Sequence, residues 1–160
     1  MASSDVLADR MAIEDLVAAY ADAVDRQRWE DLDGLFSPDA LIDYTATGSI
    51  RGTVAELKSH LQAVLPMMLS YQHLMGRTIL SLHGDEAEGA TICFNPMVLD
   101  TGADRGPTVF FCGLWYHDRF VRSAGSWLIS ARTQELSYFH NFPGGLPPGA
   151  QPYRAAEDAQ

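Results

Sequence analysis

Basic side chains are scarce in this chain. Against 21 Asp and Glu stand only 11 Lys and Arg across 160 residues, a formal charge of −10. A phosphate-neutralising surface needs the opposite balance, so sequence-independent nucleic-acid binding is not expected. Adhesion to anionic membranes is disfavoured for the same reason. No run of 18 apolar residues occurs, which removes a spanning helix. Residues 1–10 carry Asp5 and Asp9 and no basic-then-apolar order, so they do not read as a secretory signal. Cysteine is nearly absent. Cys93 and Cys112 each lie in apolar surroundings and read as reduced core thiols, which suits a cytoplasmic location.

The standard motifs are missing too. There is no G-x-S-x-G, no phosphate-binding G-x-x-x-x-G-K, no G-x-G-x-x-G, no H-E-x-x-H and no C-x-x-C. The five histidines lack metal-ligand spacing. Neither a metal nor an organic cofactor is expected. What remains is ordinary globular composition, 47% apolar and 20% charged, at the length of one domain. We read one domain over residues 1–141 and a tail over 142–160, rich in Pro and Gly at its start.

The periodicity divides the chain into a helical front and a stranded back. Ile13, Leu16, Val17, Tyr20 and Val24 form one apolar stripe, predicting a helix over residues 5–26 capped by Ser3 or Ser4. A short helix is expected over 29–36, stopped by Ser37-Pro38-Asp39, and a short strand over 40–45. Thr53 with Glu56 three residues on is a capping box that opens a third helix. Four long antiparallel strands follow, over 72–83, 86–99, 108–121 and 126–138. Asn95 before Pro96 marks a bulge in the second of them. This order predicts an α+β fold: a curved, mostly antiparallel sheet crossed by helices that enclose a pocket.

Few residues in this layout carry chemistry. His73 opens a strand among apolar neighbours and can act as a general base, or be a satisfied core histidine. Asp25 ends the first helix, where an acid opposes the helix dipole. It is a solvated acid, an ion-pair partner of Arg26 or Arg28, or a functional residue placed against local propensity. Tyr20 lies within the apolar stripe, as core or as a hydroxyl opening on the pocket. Alternation puts Phe111, Gly113 and Trp115 on one face of their strand and Phe110, Cys112, Leu114 and Tyr116 on the other. One face is expected to line the pocket and the other to meet a second copy. Trp115, Phe111, Met68, Asn95 and Arg132 are the candidate substrate contacts, Arg132 for a carbonyl or carboxylate.

Residues 9–25 with Trp29 to Phe36 and Pro38-Asp39-Ala40 resemble the opening of SnoaL-like proteins of the nuclear-transport-factor-2-like (cone) superfamily. Gly84-Asp85-Glu86-Ala87 and the Gly113, Tyr116-His117-Asp118, Arg122 and Trp127 hairpin resemble that group as well. Within it the chain is most similar to the branch of scytalone dehydratase, bile-acid 7α-dehydratase and lindane dehydrochlorinase. The resemblance implies a catalytic pair of Asp25 and His73, with Tyr20 beside them as in the bile-acid enzyme. The dehydrochlorinase has a lysine at the place of Tyr20, which argues against that activity. The second histidine of scytalone dehydratase has no counterpart. The resemblance implies a cofactor-free lyase, a dehydratase of a hydrophobic, hydroxylated, cyclic small molecule. The alternatives are an isomerase using the same base, a polyketide-cyclase-like enzyme, or a non-catalytic binding or assembly module. The two apolar faces of the strand over 108–121 predict a homo-oligomer, and the resemblance puts a trimer ahead of a dimer.

Overall fold

The computed structural model describes residues 4–102 and 106–152. Helix α1 (Ser4–Asp25) opens the chain, and all five stripe residues named above are buried in it. The expected cap at Ser3 or Ser4 lies outside the described residues and side chains. Helix α2 (Val54–Val64) starts at the capping box: the Thr53 hydroxyl accepts from the Glu56 N–H, and the Glu56 carboxylate accepts from the Thr53 N–H.

Seven strands form one curled sheet: β1 (Phe36–Asp43), β2 (Arg51–Gly52), β3 (Met68–Tyr71), β4 (Leu74–His83), β5 (Glu86–Asp100), β6 (Pro107–Ser123) and β7 (Ser126–His140). Their order is β2-β1-β7-β6-β5-β3, with β4 also paired to β5. Only β1 with β7 is parallel; the other pairs are antiparallel. The fold is thus the α+β curved sheet with helices that the pattern predicts.

Three local expectations are corrected. Residues 29–34 form a 3-10 segment rather than an α-helix. The first strand then starts at Phe36 and runs through Ser37-Pro38-Asp39. Pro38 does not stop it, because β2 reaches β1 only at Ile42 and Asp43, so near Pro38 one edge of the strand needs no N–H donor. Finally, β5 has no bulge at Asn95-Pro96, since its register with β6 runs unbroken through Asn95↔Cys112 and Pro96↔Phe111. The irregularity lies in the neighbour on the other side. There β3 and β4 are separate strands with Gln72 and His73 between them.

The inner sheet face, covered by α1, carries Cys93, Cys112, Leu114, Tyr116, Phe120 and Leu136 in the core cluster, and Phe110 is buried on the same face. The outer face holds Phe111, Trp115 and the exposed Leu74, Ile79, Ile92, Phe94, Val109 and Tyr138. A Cβ at Gly113 would come within 2.4 Å of the exposed Tyr138 ring, which would have to shift to admit it. The tail returns along its own chain. Phe142 packs edge-on against Phe110 at 4.9 Å, and the Gln151 N–H donates to the Ala46 carbonyl at 2.8 Å.

Candidate functional site

The end of α1 sets the position of Asp25. The helix closes with Gln27 left-handed (φ 55°), its N–H donating to the Val24 carbonyl at 3.0 Å and the Arg28 N–H to the Ala23 carbonyl at 2.8 Å. The Tyr71 hydroxyl donates to the Val24 carbonyl at 3.2 Å and ties this helix end to β3. The arginines next door are satisfied by Asp22, which pairs with Arg26 at 2.5 Å and also with Arg28. Asp25 is therefore not their partner and is left for the sheet.

On the sheet side, the interruption between β3 and β4 frees His73. The Gln72 N–H still donates to the Pro96 carbonyl at 3.2 Å, so the carbonyl of Pro96 faces the gap. A strand residue presents its N and its carbonyl to the same edge, so the missing N–H of Pro96 also faces the gap. The His73 N–H, released from the ladder, donates to Asp25 Oδ2 at 2.9 Å. His73 Nδ1 meets Asp25 Oδ1 at 2.6 Å. One carboxylate thus holds both the ring and the backbone of the same residue. The far ring nitrogen, Nε2, lies 2.9 Å from Asn95 Nδ2. An amide N–H donates, so Nε2 accepts and Nδ1 carries the ring proton. The His73 side chain is 8% exposed and that of Asp25 20%.

This geometry fits a base oriented by a carboxylate, the arrangement that fixes an imidazole tautomer and stabilises the imidazolium formed on proton capture. The thiols beside it are inert. Cys112 lies directly opposite Asn95, and burial pushes the thiols of Cys93 and Cys112 from 9.0 up to about 12. Burial also raises the Tyr71 phenol, with the Asp25 charge adding to it.

A second polar cluster lies deeper on the same face. Arg132 is fully buried, and its Nε and Nη2 donate to the two carboxylate oxygens of Asp118, each at 2.7 Å. Its guanidinium lies over the rings of both Tyr20 and Tyr116, at 4.2 and 4.4 Å, and those two rings meet edge-on at 72°. The Tyr20 and Tyr44 hydroxyls share a hydrogen bond of 2.7 Å. Burial raises the phenols of Tyr20, Tyr44 and Tyr116. Arg132 Nη1 and Asn95 Oδ1 have no partner among the described residues.

The structure therefore brings Asp25, His73 and Asn95 together and places Tyr20 in the other cluster with Arg132. Arg132 is core, its fork committed to Asp118, and its buried Nη1 has no partner among the described residues. Met68 lies opposite Leu99 on the inner side of the sheet, near its open end. Phe111 and Trp115 are corrected: they pair with Pro96 and Ile92 on the outer face, away from His73. A hollow of about 760 Å³ also lies on that outer face, lined by Leu41, Ile79, Ala90, His117 and Thr133 rather than by the pair. Sequence reasoning missed Tyr44, Tyr71, Tyr116 and Asp118. The alternation that puts Tyr116 inward also puts Asp118 inward, which was an available signal.

Comparison with known proteins bears on the fold. An uncharacterized protein of Mycobacterium tuberculosis is 42% identical over 134 residues, which cover 84% of this chain and 89% of that protein. Among solved structures, a scytalone dehydratase-like protein of Novosphingobium aromaticivorans superposes with a TM-score of 0.78 at 18% identity, covering 94% of this chain and 97% of the other. The hexachlorocyclohexane dehydrochlorinase LinA-type3 of Novosphingobium barchaimii gives 0.72 at 22% identity, covering 90% and 98%. A protein of Kribbella flavida gives 0.75 at 22%, covering 85% and 95%. At such identities these likenesses concern the fold. The SnoaL-like domain model matches residues 5–133, and the chain belongs to the SnoaL-like family.

Proposed function

We propose that this chain is a lyase that dehydrates a hydrophobic, hydroxylated, cyclic small molecule, with His73 as the base and Asp25 as its orienting partner. The observation that carries this reading is the 2.6 Å contact between His73 Nδ1 and Asp25 Oδ1, with Nε2 directed into the inner face of the sheet. Nε2 takes a proton from a carbon next to a carbonyl. The C–H electron pair becomes the new C=C bond, and the C–O bond breaks. The departing hydroxyl takes the proton back from His73 and leaves as water. Asp25 stabilises the imidazolium in between. The cycle returns every proton and calls on no metal or organic cofactor. Arg132 Nη1 is the donor for the substrate's carbonyl oxygen, and Tyr20 backs it through the Tyr44 pair. Met68 supplies an adaptable apolar wall.

The structural neighbours named above include a dehydratase-like protein and a dehydrochlorinase, both consistent with an elimination. The same base could also move a double bond as an isomerase. The two reactions separate on whether water is lost.

The test is turnover of hydroxylated cyclic ketones by the wild type, His73→Ala and Asp25→Asn. His73→Ala should lower kcat by about 10²–10⁴-fold, the range for loss of a general base. Full activity in both variants refutes the reading.

Assembly forms part of this proposal. The chain is a homo-oligomer, a trimer ahead of a dimer, that covers the apolar outer face around Ile79, Ile92 and Phe94. Sedimentation of a stable monomer at micromolar concentration contradicts it.

A further inference from the structure

Resting on the reading of His73 as a base, we propose that Asn95 is a positioning residue that caps the lone pair of Nε2 at rest and offers its own carbonyl to a hydroxyl on the ligand. Asn95 Nδ2 stands 2.9 Å from His73 Nε2, so the nitrogen that must attack a C–H bond is already occupied by a donor. The other end of the same amide, Oδ1, is buried and has no partner among the described residues, in a residue only 7% exposed. A buried carbonyl without a donor from its own chain is rare in folded proteins and calls for a partner from outside it, a water or a ligand.

The surroundings supply little. The neighbours of Asn95 on its own face are Cys93 and Met97 along β5 and Cys112 directly across on β6. Thiols donate weakly and a thioether not at all. The Tyr71 hydroxyl is committed to the Val24 carbonyl. The group that suits Oδ1 is therefore a hydroxyl carried in by a small molecule, which is the substrate class of the dehydration proposed above.

The two ends of the amide are mechanically linked. A hydroxyl that draws Oδ1 toward itself turns the side chain about its Cβ–Cγ bond and pulls Nδ2 off Nε2. The base is thus uncovered by the functional group that is to leave. Without such a ligand, the lone pair stays covered.

The test uses nitrogen-15 spectra of the His73 ring in the full chain at neutral pH, assigned by loss of its signals in His73→Gln. The wild type should show Nδ1 protonated and Nε2 as a hydrogen-bonded acceptor. Asn95→Leu, nearly equal in shape and unable to donate, should move the Nε2 resonance toward the free-acceptor position. It should also speed acylation of His73 by diethylpyrocarbonate at least tenfold. Phenol, used as the hydroxyl probe, should move the wild-type Nε2 resonance in the same direction, while toluene should not. Phenol should bind Asn95→Leu no better than toluene does. Should Asn95→Leu fail to fold, Asn95→Asp serves: its carboxylate accepts from Nε2–H, and His73 should then show both nitrogens protonated.

Identical Nε2 resonances in the wild type and Asn95→Leu, or equal effects of phenol and toluene on the wild type, would overturn the proposal. None of these readouts needs turnover, so the cap can stand if His73→Ala remains fully active and the lyase reading falls.

Discussion

Two acid–base pairs lie on the inner face of one sheet, and they differ in what their partners leave free. Arg132 and Asp118 form a two-bond fork, both side chains fully buried, with two aromatic rings against the guanidinium. Arginine does not lose its proton in proteins, so the cationic half of this pair is fixed. Asp25 and His73 meet through a single ring contact near the surface, and the histidine can take or give a proton. The deep pair therefore acts chiefly as scaffold and the shallow pair as chemistry, although each joins a carboxylate to a cationic or protonatable side chain.

The sharpest way to break this contrast is Arg132→Met. It strands the Asp118 carboxylate in the core and should cost about 3–5 kcal/mol in urea unfolding. Adding Asp118→Leu should recover most of that loss, because a buried pair replaced by apolar side chains is often neutral. Persistence of the full deficit in the double variant would show that the pair contributes net stability.

Asp25→Ala removes two hydrogen bonds, one to the ring and one to the His73 N–H. We expect a loss of about 1–3 kcal/mol by the same measurement, smaller than for Arg132 because the site is nearer to solvent. A loss above that of Arg132→Met would reverse the ranking of the two pairs. Tyr20→Phe keeps the ring on Arg132 and deletes only the Tyr44 bond, so about 0.5–1.5 kcal/mol is expected.

The thiols give the mildest effect and a sign. Both are held near 12 by burial, from a starting value of 9.0. At pH 8 the native thiolate fraction is on the order of 10⁻⁴, so alkylation by iodoacetamide should be negligible until the chain unfolds. Because the folded values are raised, this contribution to stability is intact below pH 9 and declines as pH climbs from 9 toward 12. Rapid native alkylation at pH 8 would contradict it.

These clusters were unequally legible in the sequence. The stripe of α1 and the capping box of α2 are local, so periodicity and spacing reveal them directly. The Asp25–His73 contact spans 48 positions. No local rule reaches that far, and it came from family resemblance. The Arg132–Asp118 fork was hidden by one residue. Counting back from the Ser123↔Ser126 closure sets Asp118 opposite Ala131, on the wrong face. The register shift between Arg119 and Phe120 moves it to Arg132. The same difficulty misplaced Pro38 and Pro96. A proline signals a break, but whether its own strand breaks depends on neighbours that a one-dimensional reading does not contain.

The gap between β3 and β4 also has a dynamic consequence. Since a single carboxylate grips His73 by ring and main chain together, the histidine is mounted on the helix as much as on the sheet. Any tilt of that helix end carries the imidazole along as a rigid arm, so its aim and its proton partner cannot drift apart.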